Sequence, residues 1–270
     1  MRPQGSGGPA RRKGAPRSGV KRGHGAGRSG GNDGINGTKR QRVDEARTAE
    51  EGGRFRSRRE RNFELPRDVL EELRQVTEPR GGLLERRLVQ AAQAYERDRY
   101  KEALTVIRPV VDAVPDSAAV MELYGLILYR LSRWRQAARV LRKVAEETGS
   151  FDQYPVIADC ARAQGDLAEV RAIWDTLRRE GVSREVLVEG RLVMDGALAD
   201  QGHSDEAIEL LAPSSKPRKH ADIPALREWY ALADLYEATG ELPRARELFA
   251  RVAAQAPDLL DAPARLRAIR

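Results

Sequence analysis

The chain has 270 residues, a formal net charge of +7 and a sequence pI of about 9.7. Its hydrophobic content of 40% is enough for a folded core, and no apolar run approaches the ~20 residues that a membrane-spanning helix needs. The lone Cys160 excludes a disulfide within the chain and indicates a reducing compartment. Because the amino terminus has charges but no apolar core, we predict no signal peptide and a cytoplasmic location.

Residues 1–62 are rich in glycine, arginine and serine, and their only aromatic residue is Phe55. Such a composition cannot bury enough surface to offset the entropy of ordering, so we predict a disordered basic tail. The tail carries 17 Lys and Arg against 6 Asp and Glu, a net charge of +11, which leaves −4 for residues 63–270.

A basic tail of this kind can bind nucleic acid by releasing counterions from phosphates. The candidate contacts are Arg11, Arg12, Lys13, Lys21, Arg22, Lys39, Arg40 and Arg42. A solubilising or linking arm is the alternative, since aromatic residues for base stacking are nearly absent. Arginine outnumbers lysine 41 to 7 and alanine is abundant, a bias typical of GC-rich bacterial genomes, which argues against a nuclear-localisation signal at residues 39–42.

Residues 63–82 are predicted to form a capping helix and a linker. Pro66 suits the first turn of a helix, and Val69, Leu70 and Leu73 share one face. The linker, residues 77–82, separates this helix from the segments that follow.

From residue 83 onward, large and small residues recur with a period close to 34. The residues that repeat are Tyr100, Ala103 and Ile107, then Trp134, Ala137 and Leu141. Further helix-turn-helix units surround the turns at residues 163–170 and 200–211, with glycine or a polar turn at the corresponding place in every unit. The fourth unit is degenerate, because Arg191 stands where a large apolar residue is expected and Asp195 where a small one is expected.

Residues 211–224 are an insertion between the fourth and fifth units. They contain a short basic loop formed by Lys216, Arg218, Lys219 and His220. A solvated loop and a specific contact with phosphate or a partner are the two interpretations.

The fifth unit has the clearest pattern, with a Gly240 turn between two amphipathic helices and Pro257 ending the second. Residues 259–270 are predicted to be a closing helix or a frayed end. The order of residues that defines the fifth unit is Trp229, Leu232, Ala233, Tyr236, Gly240, Ala245, Phe249 and Pro257.

This order resembles the tetratricopeptide repeat, a helix-turn-helix unit of roughly 34 residues. The resemblance implies an all-α protein, a right-handed α-solenoid of about five repeats over residues 83–258, with a concave surface. An ordinary helical bundle is the alternative, and the shared period argues against it.

No catalytic or metal-binding constellation is apparent. His24, His203 and His220 lie in the tail, a turn and the basic loop, and no phosphate-binding glycine loop precedes a lysine. Acidic residues on the helices mostly alternate with arginine, which is typical of a solvated face. We therefore predict no enzyme activity, no cofactor and no metal.

The resemblance places binding on the concave face of the first helices. The predicted partner-binding residues are Tyr95, Glu122, Leu126, Tyr129, Asp159, Arg162, Tyr230, Asp234 and Glu237. Tyrosine beside acid would suit a basic or aromatic peptide, although Tyr95 and Tyr129 could instead pack between helices. The positions that bind a chaperone carboxylate terminus in some family members hold Leu88, Ala92, Glu122 and Leu126, so that activity is not expected.

The sequence thus predicts a non-catalytic scaffold or adaptor that binds an unidentified protein or peptide. The rival interpretation is a nucleic-acid- or ribosome-associated factor that uses the tail for affinity. A third is a regulatory module in which the tail occupies the acidic groove until a partner displaces it.

Overall fold

The computed structural model describes residues 69–71, 73 and 81–269. The predicted tail, with its eight candidate nucleic-acid contacts, lies outside these residues. All regular structure in the described part of the chain is helical. The α-helices are α1 (Gly81–Glu96), α2 (Tyr100–Ala113), α3 (Ala118–Arg130), α4 (Trp134–Thr148), α5 (Tyr154–Arg162), α6 (Leu167–Arg179), α7 (Arg184–Asp200), α8 (Ser204–Leu211), α9 (Ile223–Ala238), α10 (Leu242–Gln255) and α11 (Ala262–Ala268), with a 3-10 helix at Ala212–Ser215.

The helices α1 to α10 form five consecutive pairs, and each pair is one unit with a tight turn in its middle. One residue of each turn has a left-handed backbone, with φ between 58° and 86°. In every turn the next amide donates to the carbonyl five residues before it, at 2.8–3.0 Å. The left-handed residues are Asp98, Ser132, Gly165, Gly202 and Gly240. The prediction of a glycine or polar turn at one place in all five units is therefore confirmed.

The left-handed turns allow a direct test of their role in stability. We expect Gly240→Ala to lower the free energy of unfolding by roughly 1–2 kcal/mol, because a side chain disfavours this backbone region. A Cβ at Gly240 would meet nothing within 4 Å, so the effect is conformational rather than steric. The reciprocal change, Ser132→Gly, should not destabilise the protein. Urea unfolding of both variants measures this, and equal losses in both would contradict it.

The core follows the same period. Five small residues of the second helices are fully buried or nearly so, and a large apolar residue follows each of them four residues later. These pairs are Ala103 and Ile107, Ala137 and Leu141, Val170 and Trp174, Ala207 and Leu211, and Ala245 and Phe249. The paired helices also approach closely at Gly125 of α3, where a Cβ would stand 2.6 Å from Leu141 Cδ2. The buried residues form one continuous core along the array.

Both ends of the array are covered by helical residues. At the amino-terminal end, Val69 and Leu73 are helical and buried in the common core. Helix α1 begins at Gly81, two residues before the predicted start of the repeats, because the first turn of a helix has few intrahelical bonds for glycine to weaken. At the other end, α11, here called the closing helix, packs against α10, and its Ala262 is buried.

None of the helices in the described residues is long and apolar enough to cross a membrane.

Candidate functional site

The first helices of the five units, α1, α3, α5, α7 and α9, form one face of the array, here called the first-helix face. Side chains on consecutive first helices bond to each other from α3 onward. The nine predicted partner-binding residues occupy three corresponding positions on these helices. Counted back from the left-handed turn residue of the same unit, these positions are ten, six and three residues earlier. They are Glu122 and Tyr230 at the first position, Leu126, Asp159 and Asp234 at the second, and Tyr95, Tyr129, Arg162 and Glu237 at the third.

The three tyrosines of this set are buried, with 2–6% of their surface exposed. Each ring meets another aromatic ring edge-on at 5.3–5.5 Å between centroids, and the pairs are Tyr95 with Tyr100, Tyr129 with Trp134, and Tyr230 with Phe249. Such pairs stabilise a core by about 0.5–1.5 kcal/mol beyond the burial of their area. These rings therefore pack inside the array, which is the packing alternative stated above for Tyr95 and Tyr129.

A continuous row of polar contacts runs along the first-helix face through units two to four. Tyr129 Oη donates to Asp159 Oδ2 at 2.5 Å, and Arg162 Nε donates to Asp159 Oδ1 at 2.7 Å. Arg162 Nη1 then reaches Asp200 Oδ2 at 2.8 Å on the next unit. Arg162 packs over Gly196, where a Cβ would make an ordinary van der Waals contact of 3.5 Å with Arg162 Cδ. We call the four residues Tyr129, Asp159, Arg162 and Asp200 the inter-unit row.

Contacts with the neighbouring units explain Arg191, one of the two unexpected residues of the degenerate fourth unit. Arg191 Nη1 donates to Glu228 Oε1 at 2.5 Å, and its guanidinium carbon lies 5.7 Å from the centre of the Trp174 ring. Burial raises the pKa of Glu228, while the charge and hydrogen bond of Arg191 oppose that shift. A second inter-unit ion pair joins Arg227 to Glu189. Arg191, unexpected for a repeat, thus holds two units together.

In the fifth unit, the first-helix face holds an arginine from the closing helix. Arg265 Nη2 lies 2.5 Å from Asp234 Oδ1, and its Nε lies 2.8 Å from Glu237 Oε2. Nη1 approaches Tyr230 Oη at 3.4 Å, and the guanidinium carbon lies 5.0 Å from the centre of the Phe249 ring. Two carboxylates, a phenol and an aromatic ring thus surround one guanidinium, and we call this group the arginine cage.

The electrostatics of the cage favour a permanent positive charge. Burial by itself would lower the pKa of Arg265, but the charge of Asp234 and hydrogen bonds to both carboxylates raise it above its ordinary value. Burial, followed by the hydrogen bond to Asp261, raises the pKa of Tyr230. Tyr230 therefore remains a neutral phenol, which donates to Asp261 at 2.5 Å and accepts from Arg265.

Glu122 and Leu126 are half-buried and form a more open part of the first-helix face on α3. Gln153 Nε2 donates to Glu122 Oε1 at 2.6 Å. Burial raises the pKa of Glu122, and the bond from Gln153 opposes the shift. The corresponding residues of the first unit, Leu88 and Ala92, are buried, so both units lack the basic and amide side chains of a carboxylate-binding site.

Other reactive groups in the described part of the chain do not converge. There, no three His, Cys, Asp or Glu side chains form a group that could hold a metal ion. Cys160 is fully buried in the core. His203, the residue before α8, lies 2.8 Å from Glu206 in the first turn of that helix, and His220 is exposed in the insertion.

Comparisons with known proteins agree with this architecture. The family model described as tetratricopeptide repeat matches residues 87–155 and 197–259. Among solved structures, a thermophilic TPR protein of Thermus thermophilus is 19% identical, with a TM-score of 0.51 and coverage of 69% of this chain and 98% of that one. The apo form of the quorum sensor NprR from B. thuringiensis is 17% identical, with a TM-score of 0.54.

The match to NprR covers 75% of this chain and 62% of the NprR chain. At these identities both structures are similar in fold alone. No curated protein matches the sequence. The repeated turns, the two segments that match the family model and the fold shared with two solved structures lead to one conclusion: the chain is a tetratricopeptide repeat-containing protein.

Proposed function

We propose that this protein is a non-catalytic scaffold that binds a basic segment of another protein on the first-helix face. Tetratricopeptide repeat proteins typically mediate protein or peptide binding. The observation that carries the finer proposal is the arginine cage, in which this face holds a guanidinium from a short helix that is not itself a repeat. The cage supports recognition of cationic side chains by this face.

The open part of the face on α3 has related chemistry. Glu122 presents a half-buried carboxylate next to the half-buried Leu126, one turn further along the helix. A partly desolvated carboxylate favours a cationic side chain more strongly than an exposed one does, because screening by water is weaker. An arginine or lysine with an apolar neighbour would therefore fit this surface.

The test is affinity capture from a nuclease-treated native lysate with the full-length protein and two charge-reversal variants. Glu122→Lys changes the first-helix face, and Glu146→Lys makes the same change at an exposed position on the second helix α4. We expect Glu122→Lys to retain its partners at least tenfold less well than the wild type and Glu146→Lys to retain them normally. Equal retention by both variants, with unchanged thermal unfolding, would refute the proposal.

The rival function, binding of nucleic acid through residues 1–62, is supported by the net charge of +11 in that segment. The same capture experiment, run in parallel with and without nuclease treatment, separates the two functions. Partners that are lost on nuclease treatment and retained by Glu122→Lys would favour the nucleic-acid function.

A further inference from the structure

The insertion between the fourth and fifth units places a dense group of cations on the folded array. We call residues 216–220 the insertion loop. It follows the 3-10 helix Ala212–Ser215 and precedes α9. Its members with basic side chains, all exposed, are Lys216, Arg218, Lys219 and His220.

Side chains from both helices of the fifth unit hold the backbone on either side of the loop and at Arg218 within it. Trp229 Nε1 donates to the carbonyl of Ser214 at 2.9 Å, and Arg251 Nη1 donates to the carbonyl of Ser215 at 2.9 Å. Gln255 holds the other end of the loop, because its Nε2 donates to the carbonyl of Arg218 at 3.2 Å and its Oε1 accepts from the amide of Ala221 at 2.8 Å. These four bonds restrict the conformations that the loop can adopt.

The nearby carboxylates are already committed to other cations. Asp222 forms a bidentate ion pair with Arg184, and Glu228 forms an ion pair with Arg191. Within the described residues, none of the four basic side chains of the loop has an ion pair. Their positive charge is therefore concentrated at one place on a segment, residues 63–270, whose net charge is −4.

We propose that the insertion loop binds the phosphate backbone of a single-stranded nucleic acid. Residues 216–220 contain no Phe, Tyr, Trp, Leu, Ile, Val or Met, so charge dominates what the loop can recognise. Lysine and arginine neutralise phosphates in nucleic-acid complexes, whereas lysine is depleted from protein–protein interfaces. Fixing the loop backbone in advance lowers the entropy cost of binding. This function is independent of the first-helix face and adds a folded contact to the charge of residues 1–62.

The test measures binding of a fluorescein-labelled poly-uridine RNA of about 20 nucleotides by anisotropy at several KCl concentrations, with the full-length protein. The loop variant is Lys216→Gln, Arg218→Gln and Lys219→Gln combined. The anchors of the loop are backbone carbonyls and an amide, so this variant keeps them. The control variant removes the same charge from exposed positions on α2 and α4 and combines Lys101→Gln, Arg108→Gln and Arg139→Gln.

We expect the loop variant to bind at least tenfold more weakly at about 150 mM KCl. Its plot of log affinity against log salt should be less steep by about 2, because each phosphate contact on a single strand contributes roughly 0.7 to the slope. The control variant should retain the slope of the wild type. Equal behaviour of the two variants, whether both weaken or neither does, would overturn the proposal. It would also be overturned if poly-glutamate at matched charge competes as well as unlabelled RNA, since the loop would then select acidic polymers in general.

Discussion

Replacement of Trp229 by alanine is expected to lower the free energy of unfolding by about 4 kcal/mol. Removal of a large buried aromatic side chain usually costs roughly 3–5 kcal/mol. The side chain is fully buried between the helices of the fifth unit. It also donates the hydrogen bond to Ser214 that fixes the start of the insertion loop. Urea unfolding followed by far-UV circular dichroism measures the loss.

Trp229→Phe separates the two roles of this side chain. Phenylalanine keeps most of the apolar volume but cannot donate to the carbonyl of Ser214, so we expect a smaller loss of about 1–3 kcal/mol. In both variants, amides of the insertion loop should exchange hydrogen faster than in the wild type. Slow exchange in the loop of Trp229→Phe would show that the indole nitrogen is not an anchor.

The second large effect is expected at the arginine cage. Arg265→Ala removes the counter-ion that Asp234 and Glu237 share and leaves two carboxylates close together, with only 21% and 16% of their side chains exposed. Breaking a buried ion pair from one side costs about 3–5 kcal/mol, and we expect a value near the lower limit here because the site is not fully buried.

The readout for Arg265→Ala is urea unfolding together with hydrogen exchange of α11 and α9. Arg267→Ala is the matched control, since it removes an exposed arginine from the same helix. We expect faster exchange in α11 only in Arg265→Ala. Similar exchange in the two variants would mean that the buried Ala262 and Ile269, rather than the cage, hold the closing helix.

The repeat architecture could be predicted from the sequence because its signals are local. The spacing of Trp229, Ala233, Gly240 and Phe249 specifies two helices, a turn and their shared apolar face within a span of about 20 residues. The sequence also predicts a glycine or polar turn at the corresponding place of the other units, and in the structure one of these turns has its left-handed backbone at Ser132, which is not glycine. The family match and the fold confirm this prediction.

The polar contacts of the candidate site could not be predicted in the same way. Acids and arginines alternate along most of the helices, a pattern that indicates a solvated face, and it does not single out Arg162, Arg191 or Arg265. In the structure they are largely buried because each bonds to a carboxylate on another unit, 28 to 38 residues away. Such pairs depend on the rotation between stacked units, which hydrophobic periodicity within one helix does not specify. One of these pairs did have a signal in the sequence, because Glu228 stands on the apolar helix α9 and an acid there requires a cationic partner such as Arg191.

The inter-unit row also determines how the array responds to a mechanical load. A helical solenoid bends when neighbouring units move apart on one of its faces and closer together on the other. Along the first-helix face, bonds of 2.5–2.8 Å join units two, three and four, and such bonds tolerate little extension. Units two to four should therefore resist bending. A partner would have to fit the curvature that these units already have.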